Sequence, residues 1–135
     1  MIAADTSVLV PAFAGWHERH EAALAALSGE ERLIAHCALE VYSVLTRLAP
    51  PQRAHPGLVG AWLAQQFPDP PLVLGAEAHG RFTEQLPRRG ISGGAVYDAL
   101  VAWTAADAGA TLVSDDRRAL RTYERCGVDV RMLGL

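Results

Sequence analysis

Strand-sized apolar runs recur along this chain, at Ile2 to Ala4, Leu33 to Ala35, Leu72 to Leu74, Leu112 to Val113 and Val128 to Leu133, with helical stretches between them. Amphipathic helices are expected over His17 to Leu27, Ala38 to Leu48, Leu58 to Phe67, Ala76 to Leu86, Ala95 to Ala108 and Arg117 to Arg125. Alternation of this kind favours a parallel sheet, because a helical crossover returns the chain to the end of the sheet from which the next parallel strand starts. The expectation is an α/β domain with a central, mainly parallel sheet of about five strands flanked by helices. The apolar start from Ile2 to Ala14 ends in Ala12-Phe13-Ala14, which looks like a signal-peptidase site. A basic leader is missing and Asp5 and Pro11 interrupt the run, so it reads as a strand followed by a helix.

At 135 residues, half of them apolar, the chain fits a single domain spanning 1–135. The Pro-rich stretches 50–57 and 68–71 are too short to join separate domains. A net charge of −3 excludes a protein that holds nucleic acid by bulk positive charge. All 12 basic residues are Arg, and the lack of Lys rules out a P-loop lysine, a Schiff base and the lysine of an aspartyl-phosphate receiver. Cys37 and Cys126 fit neither a CxxC motif nor a disulfide framework. Nothing approaches the roughly 20 apolar residues of a membrane span. A cytoplasmic protein is expected.

Four carboxylates carry the functional signal. Asp98 falls in the first turn of an expected helix that ends near Gly109, and Asp116 follows the strand that returns. The helix carries the chain roughly 17 Å away at about 1.5 Å per residue, and the strand brings it back roughly 17 Å at about 3.3 Å per residue. Both acids therefore finish at one end of the sheet. Asp5 closes the first strand and Glu40 enters the helix after the second, which puts them at the same carboxyl edge, where open α/β sheets bind ligands. Clustered carboxylates repel or force one another to protonate unless a cation joins them, and ionised oxygens suit Mg²⁺ or Mn²⁺. Taken singly, an acid at a helix start is as readily an N-cap, and Asp115 beside Asp116 leaves open which is the cap and which the ligand. Capping explains Asp98 poorly, because it lies in the nearly continuous apolar stretch Ala95 to Trp103, where an unpaired charge is costly.

At these residues the sequence resembles PIN-domain ribonucleases, in particular the VapC-type toxins of bacterial toxin–antitoxin pairs. The carriers are Asp5-Thr6-Ser7, the Glu40 to Arg47 segment, the Ile91 to Leu100 segment around Asp98, and Leu112 to Arg117, in this order and spacing. The resemblance implies a PIN-like three-layer fold and assigns the family's acidic quartet to Asp5, Glu40, Asp98 and Asp116, as both catalytic and metal-binding residues. Asp5 and Asp98 would be the central ligands, and Glu40 and Asp116 would complete the shell or orient water. It places Ser7, and more weakly Ser114, behind those ligands. It further implies an endoribonuclease dependent on Mg²⁺, with Mn²⁺ able to substitute, that leaves a 5′-phosphate and a 3′-hydroxyl and so inhibits translation or growth. The partners it implies are an RNA substrate, a cognate antitoxin and a second copy in a homodimer.

Other residues fit less specific roles. Arg117 directly follows Asp116 and is the best candidate for an RNA phosphate; Arg118, Arg121 and Arg125 share its helix. Arg47, Arg88 and Arg89 suit an acidic partner equally well. His17 and His20 stand three apart on an expected helix, but no third ligand accompanies them. His36 lies near the carboxyl edge, and Trp16, Trp62 and Trp103 suit the core or a dimer contact better than base stacking. Two rival functions remain: a catalytically quiet partner-binding domain, and a metal-dependent phosphatase. Haloacid-dehalogenase-type phosphatases place a second Asp two residues after the nucleophile, a position that Ser7 holds here.

Overall fold

The computed structural model describes residues 1–134. In chain order the elements are β1 (Ile2–Ala4), α1 (Thr6–Phe13), α2 (His20–Ala26), α3 (Ala35–Arg47), α4 (Pro56–Gln66), α5 (Ala76–Arg88), α6 (Ala95–Asp107), β2 (Thr111–Ser114), α7 (Arg117–Arg125) and β3 (Val130–Met132). The three strands form one parallel sheet in the order β1-β2-β3, with Ala4 opposite Val113 and Ser114 opposite Met132. The expected α/β class and parallel sheet are therefore present.

The count of about five strands needs correction, since only three are found among the described residues. The other two segments meet the sheet in the expected place through single parallel bridges, Ala3 to Arg32 and Ile34 to Leu72. Both are cut short by their neighbours. Glu31 gathers the Ser28 hydroxyl and the Ser28 and Gly29 amides into a tight turn just before Arg32, and Gly29 takes φ 93° there. Pro70 and Pro71 have no amide to add to a ladder ahead of Leu72. After Ile34 the chain turns at once into α3, so Ala35, expected in a strand, is helical.

The main core lies between the sheet and α1, α3 and α6, with Val8, Leu9, Ile34, Val41, Leu45, Leu112 and Val113 fully buried. A smaller cluster, Leu74, Ala78, Phe82, Ile91 and Ala99, packs α5 against α6. Trp62 meets Phe13 and Phe67 edge-on, and Trp103 does the same with Phe82, while Trp16 stays exposed. Helix α7 buries Ala119 and Tyr123, one turn apart, and turns its arginines outward. That narrow stripe brings the Tyr123 side chain beneath the end of β1.

Candidate active site at the carboxyl edge of the sheet

Each strand of the β1/β2 pair leads within two residues to an acid that starts the next helix. Asp5 is the N-cap of α1 and accepts the Ser7 amide at 3.0 Å; Asp116 is the N-cap of α7 and accepts the amides of Arg118 and Ala119 at 3.0 and 3.3 Å. Asp98 lies in the first turn of α6. Glu40 sits deeper than expected, because α3 begins at Ala35 and places it in the second turn rather than at the helix entrance. The face it shares with His36, one turn earlier, still points to the same place. The four side chains line one recess of about 60 Å³ together with Thr6, Ser7, Val101 and Tyr123. That is room for an ion with a few waters.

The neighbouring Asp115 does not line this recess. It forms a two-pronged ion pair with Arg19, Nε to Oδ2 at 2.8 Å and Nη2 to Oδ1 at 3.1 Å, and Arg19 also reaches the Gly134 carbonyl. The choice between Asp115 and Asp116 that the sequence leaves open thus has a geometric answer: Asp116 faces the recess.

Asp5 is 3 % exposed and carries the densest set of partners. Its Oδ1 accepts both the amide and the hydroxyl of Ser7, and its Oδ2 accepts the Tyr123 hydroxyl at 2.7 Å. Ser7 Oγ in turn accepts the Asp115 amide at 2.7 Å and lies 3.4 Å from Ser114 Oγ, which accepts the Asp116 amide at 3.0 Å. Ser7 and Ser114 therefore stand behind the acids and fix the β2–α7 turn to the start of α1. Burial pushes the Asp5 carboxyl above the ordinary range, against the pull of the Ser114, Ser7 and Tyr123 hydroxyls and the Ser7 amide.

Asp98 is half-buried and has no ion-pair partner among the described residues. Burial raises its pKa first, then the charges of Asp116, Glu40 and Asp5, with Arg118 opposing. The acids thus feel one another through the recess. Glu40 Oε1 lies 3.2 Å from His36 Nε2 and accepts from the Thr6 hydroxyl at 3.4 Å, while the His36 ring stacks on Tyr97. Arg118 Nε stands 3.6 Å from Asp116 Oδ1 on a side chain that is 93 % exposed; Arg117 is exposed and makes no ion pair among the described residues.

Two contributors escape the sequence reading: Tyr123 and Thr6 act across long sequence separations that no local spacing reveals. Of the α7 arginines named from the sequence, Arg118 rather than the favoured Arg117 approaches Asp116. The His17 and His20 pair dissolves in the structure. Helix α2 starts only at His20, the His17 Nδ1 accepts the Arg19 amide, and the His20 Nδ1 bonds the Pro11 carbonyl oxygen at 2.7 Å.

The donor set, four carboxylates on one recess, suits a hard divalent cation. No three His, Cys, Asp or Glu side chains among the described residues already stand close enough together to grip one ion.

Comparison with known proteins places the chain in a class. The PIN domain family matches residues 2–125, and the chain belongs to that family, within its VapC branch. It is 52 % identical over 133 residues to Ribonuclease VapC40 of Mycobacterium tuberculosis, covering 98 % of this chain and 99 % of the relative. Ribonuclease VapC27 of the same species, strain H37Rv, is 43 % identical over 134 residues, covering 96 % and 94 %. Among solved structures, a chain of FitAcB from Neisseria gonorrhoeae superposes with a TM-score of 0.69 over 96 % of both chains at 20 % identity, a likeness of fold.

Proposed function

We propose that this protein is a metal-dependent endoribonuclease serving as the toxin of a toxin–antitoxin pair, which inhibits translation or growth by hydrolysing RNA. The observation that carries this reading is the convergence of Asp5, Glu40, Asp98 and Asp116 on one recess. Relatives over nearly the whole chain that are ribonucleases support RNA as the substrate.

In this reading Asp5 and Asp98 hold Mg²⁺, or Mn²⁺ in its place, and Glu40 and Asp116 complete the shell or orient water. The bound ion would lower the pKa of the attacking water and offset charge that builds on the phosphate and the leaving oxygen. Thr6 and His36 engage Oε1 of Glu40, which leaves Oε2 to accept a proton from that water. Arg118, and Arg117 beside it, would hold a phosphate of the RNA at the mouth of the recess. The cluster of negative charge also suits a basic side chain from the C-terminal segment of an antitoxin, which would block RNA by covering the acids. A homodimer belongs to the same proposal. No helix among the described residues is long and apolar enough to cross a membrane; a cytoplasmic location belongs to the same proposal.

A phosphatase reading loses ground at Ser7, whose hydroxyl is committed to Asp5 where a second catalytic Asp would be needed. The deciding experiment is cleavage of end-labelled total cellular RNA by antitoxin-free protein in Mg²⁺ or Mn²⁺, beside EDTA and Asp98→Asn controls. Discrete fragments lost in both controls are expected. Folded wild-type and mutant proteins that are equally inert across RNA pools and both metals would overturn the catalytic reading in favour of a partner-binding domain.

A further inference from the structure

Tyr123 is a buried titratable side chain at the site for which the proposed chemistry has no use. It comes from the second turn of α7, is 2 % exposed, and donates its hydroxyl to Oδ2 of Asp5 at 2.7 Å, across 118 positions of sequence. A carboxylate oxygen offers about two acceptor positions. Those of Oδ1 are taken by the Ser7 amide and hydroxyl, Oδ2 accepts the Tyr123 hydroxyl, and the Ser114 hydroxyl adds its pull on the carboxylate as a whole. The acceptor capacity that Asp5 keeps for the recess therefore lies on Oδ2, the oxygen that Tyr123 holds.

We infer that Tyr123 is a positioning residue for the divalent cation: it acts through Asp5, fixing the carboxylate so that Oδ2 alone faces the ion. This inference rests on the metal-dependent reading above. With Ser7 gripping one oxygen and Tyr123 the other, the carboxylate has no freedom to turn about χ2, and the orientation an ion needs is set before the ion arrives. Ser7 follows directly from the N-cap, but Tyr123 reaches Asp5 only because α7 packs against the end of β1. The same bond thus ties the helix that begins at Asp116 to the other side of the recess. Outer partners that orient a metal ligand are typically worth about 10- to 100-fold in metal affinity.

The test is Mn²⁺ binding, followed by electron paramagnetic resonance of the free ion, for wild type, Tyr123→Phe, Asp5→Asn and the double variant. Phe keeps the ring in the core and removes only the hydroxyl. Tyr123→Phe is expected to weaken Mn²⁺ about tenfold, and raising Mn²⁺ should restore most of its RNA cleavage, so that the loss sits in metal affinity rather than turnover. Because Tyr123 works through Asp5, adding Tyr123→Phe to Asp5→Asn should cost little more than Asp5→Asn alone. Val59→Ala, a core truncation in α4, which lines no part of the recess, controls for lost stability and should leave Mn²⁺ affinity at the wild-type value.

Wild-type affinity in Tyr123→Phe, or fully additive losses in the double variant, would overturn the inference and leave the nuclease reading intact. An equal loss in Val59→Ala would also overturn it by assigning the effect to stability. Wild-type protein that takes up no Mn²⁺ would overturn both.

Discussion

Burial pushes both Asp5 and Asp98 upward, but their surroundings answer differently. For Asp5 three hydroxyls and an amide pull the pKa back, whereas Asp98 meets three more carboxylates and only one opposing cation, Arg118. Asp98 is therefore the acid whose charge strains the metal-free fold. An acid with a folded pKa above its unfolded value contributes stability below the unfolded pKa and loses it as the pH rises through the folded one. Metal-free wild type should accordingly gain relative to Asp98→Asn as the pH falls from 7 to the ordinary carboxylate pKa of about 4, and at pH 7 the variant should melt a few °C higher. The same substitution should lower RNA cleavage by about 100-fold or more, since it removes a charge that the cation needs. Melting curves of the two proteins across that range, taken in EDTA, check the first part; an offset independent of pH would contradict it. Reading the difference between them cancels Glu31, which shifts the other way.

The turn just before the Arg32 bridge is built on Glu31, a buried carboxylate with three donors from Ser28 and Gly29. Burial alone would raise its pKa, but the amides and the Ser28 hydroxyl together outweigh it and the net shift is downward. Stability from Glu31 is thus present above its unfolded pKa and is lost as the pH falls through the folded value. Glu31→Ala should destabilise the protein by about 1–2 kcal/mol at pH 7, and the deficit should shrink in acid, as urea unfolding at pH 7 and pH 3.5 would reveal. A deficit unchanged with pH would mean that the side chain acts by packing alone. A second latch holds the turn between β2 and α7. Arg19 grips Asp115 with two bonds while Ser7 Oγ accepts the Asp115 amide, so the turn that presents Asp116 is held from both sides. Arg19→Ala should accelerate hydrogen exchange at the Asp115 and Asp116 amides several-fold with little change in the β1 amides. Uniform acceleration across the sheet would assign Arg19 to global stability instead.

Across the whole molecule, what the sequence reveals is whatever depends on backbone reach. Asp98 and Asp116 are legible as neighbours because a helix of known rise and a returning strand cancel, and the register of β1 with β2 brings Asp5 alongside. Glu40 is read on the right edge but at the wrong depth, because the apolar run through Ala35 looks like strand until Ile34 ends its pairing and α3 begins. Tyr123, Thr6 and the Arg19–Asp115 pair stay hidden, since side-chain bonds between distant elements leave no spacing to read. The sequence already sets the acids at one edge and four arginines on one helix of a chain with net charge −3, and the structure shows the acidic recess beside exposed arginines 117, 118, 121 and 125 on α7. That arrangement makes a prediction about RNA. A chain that is acidic overall can hold RNA only through this local rim, so few phosphates should be neutralised and each one should count. For single strands each contact contributes about 0.7 to the slope of log affinity against log salt. In the Asp98→Asn background, expected to bind without cutting, Arg118→Gln should reduce that slope by about 0.7, whereas Arg125→Gln, at the far end of α7, should leave it unchanged. Equal slopes for the parent and Arg118→Gln would remove Arg118 from the RNA path and leave its approach to Asp116 as an ion pair of the free protein.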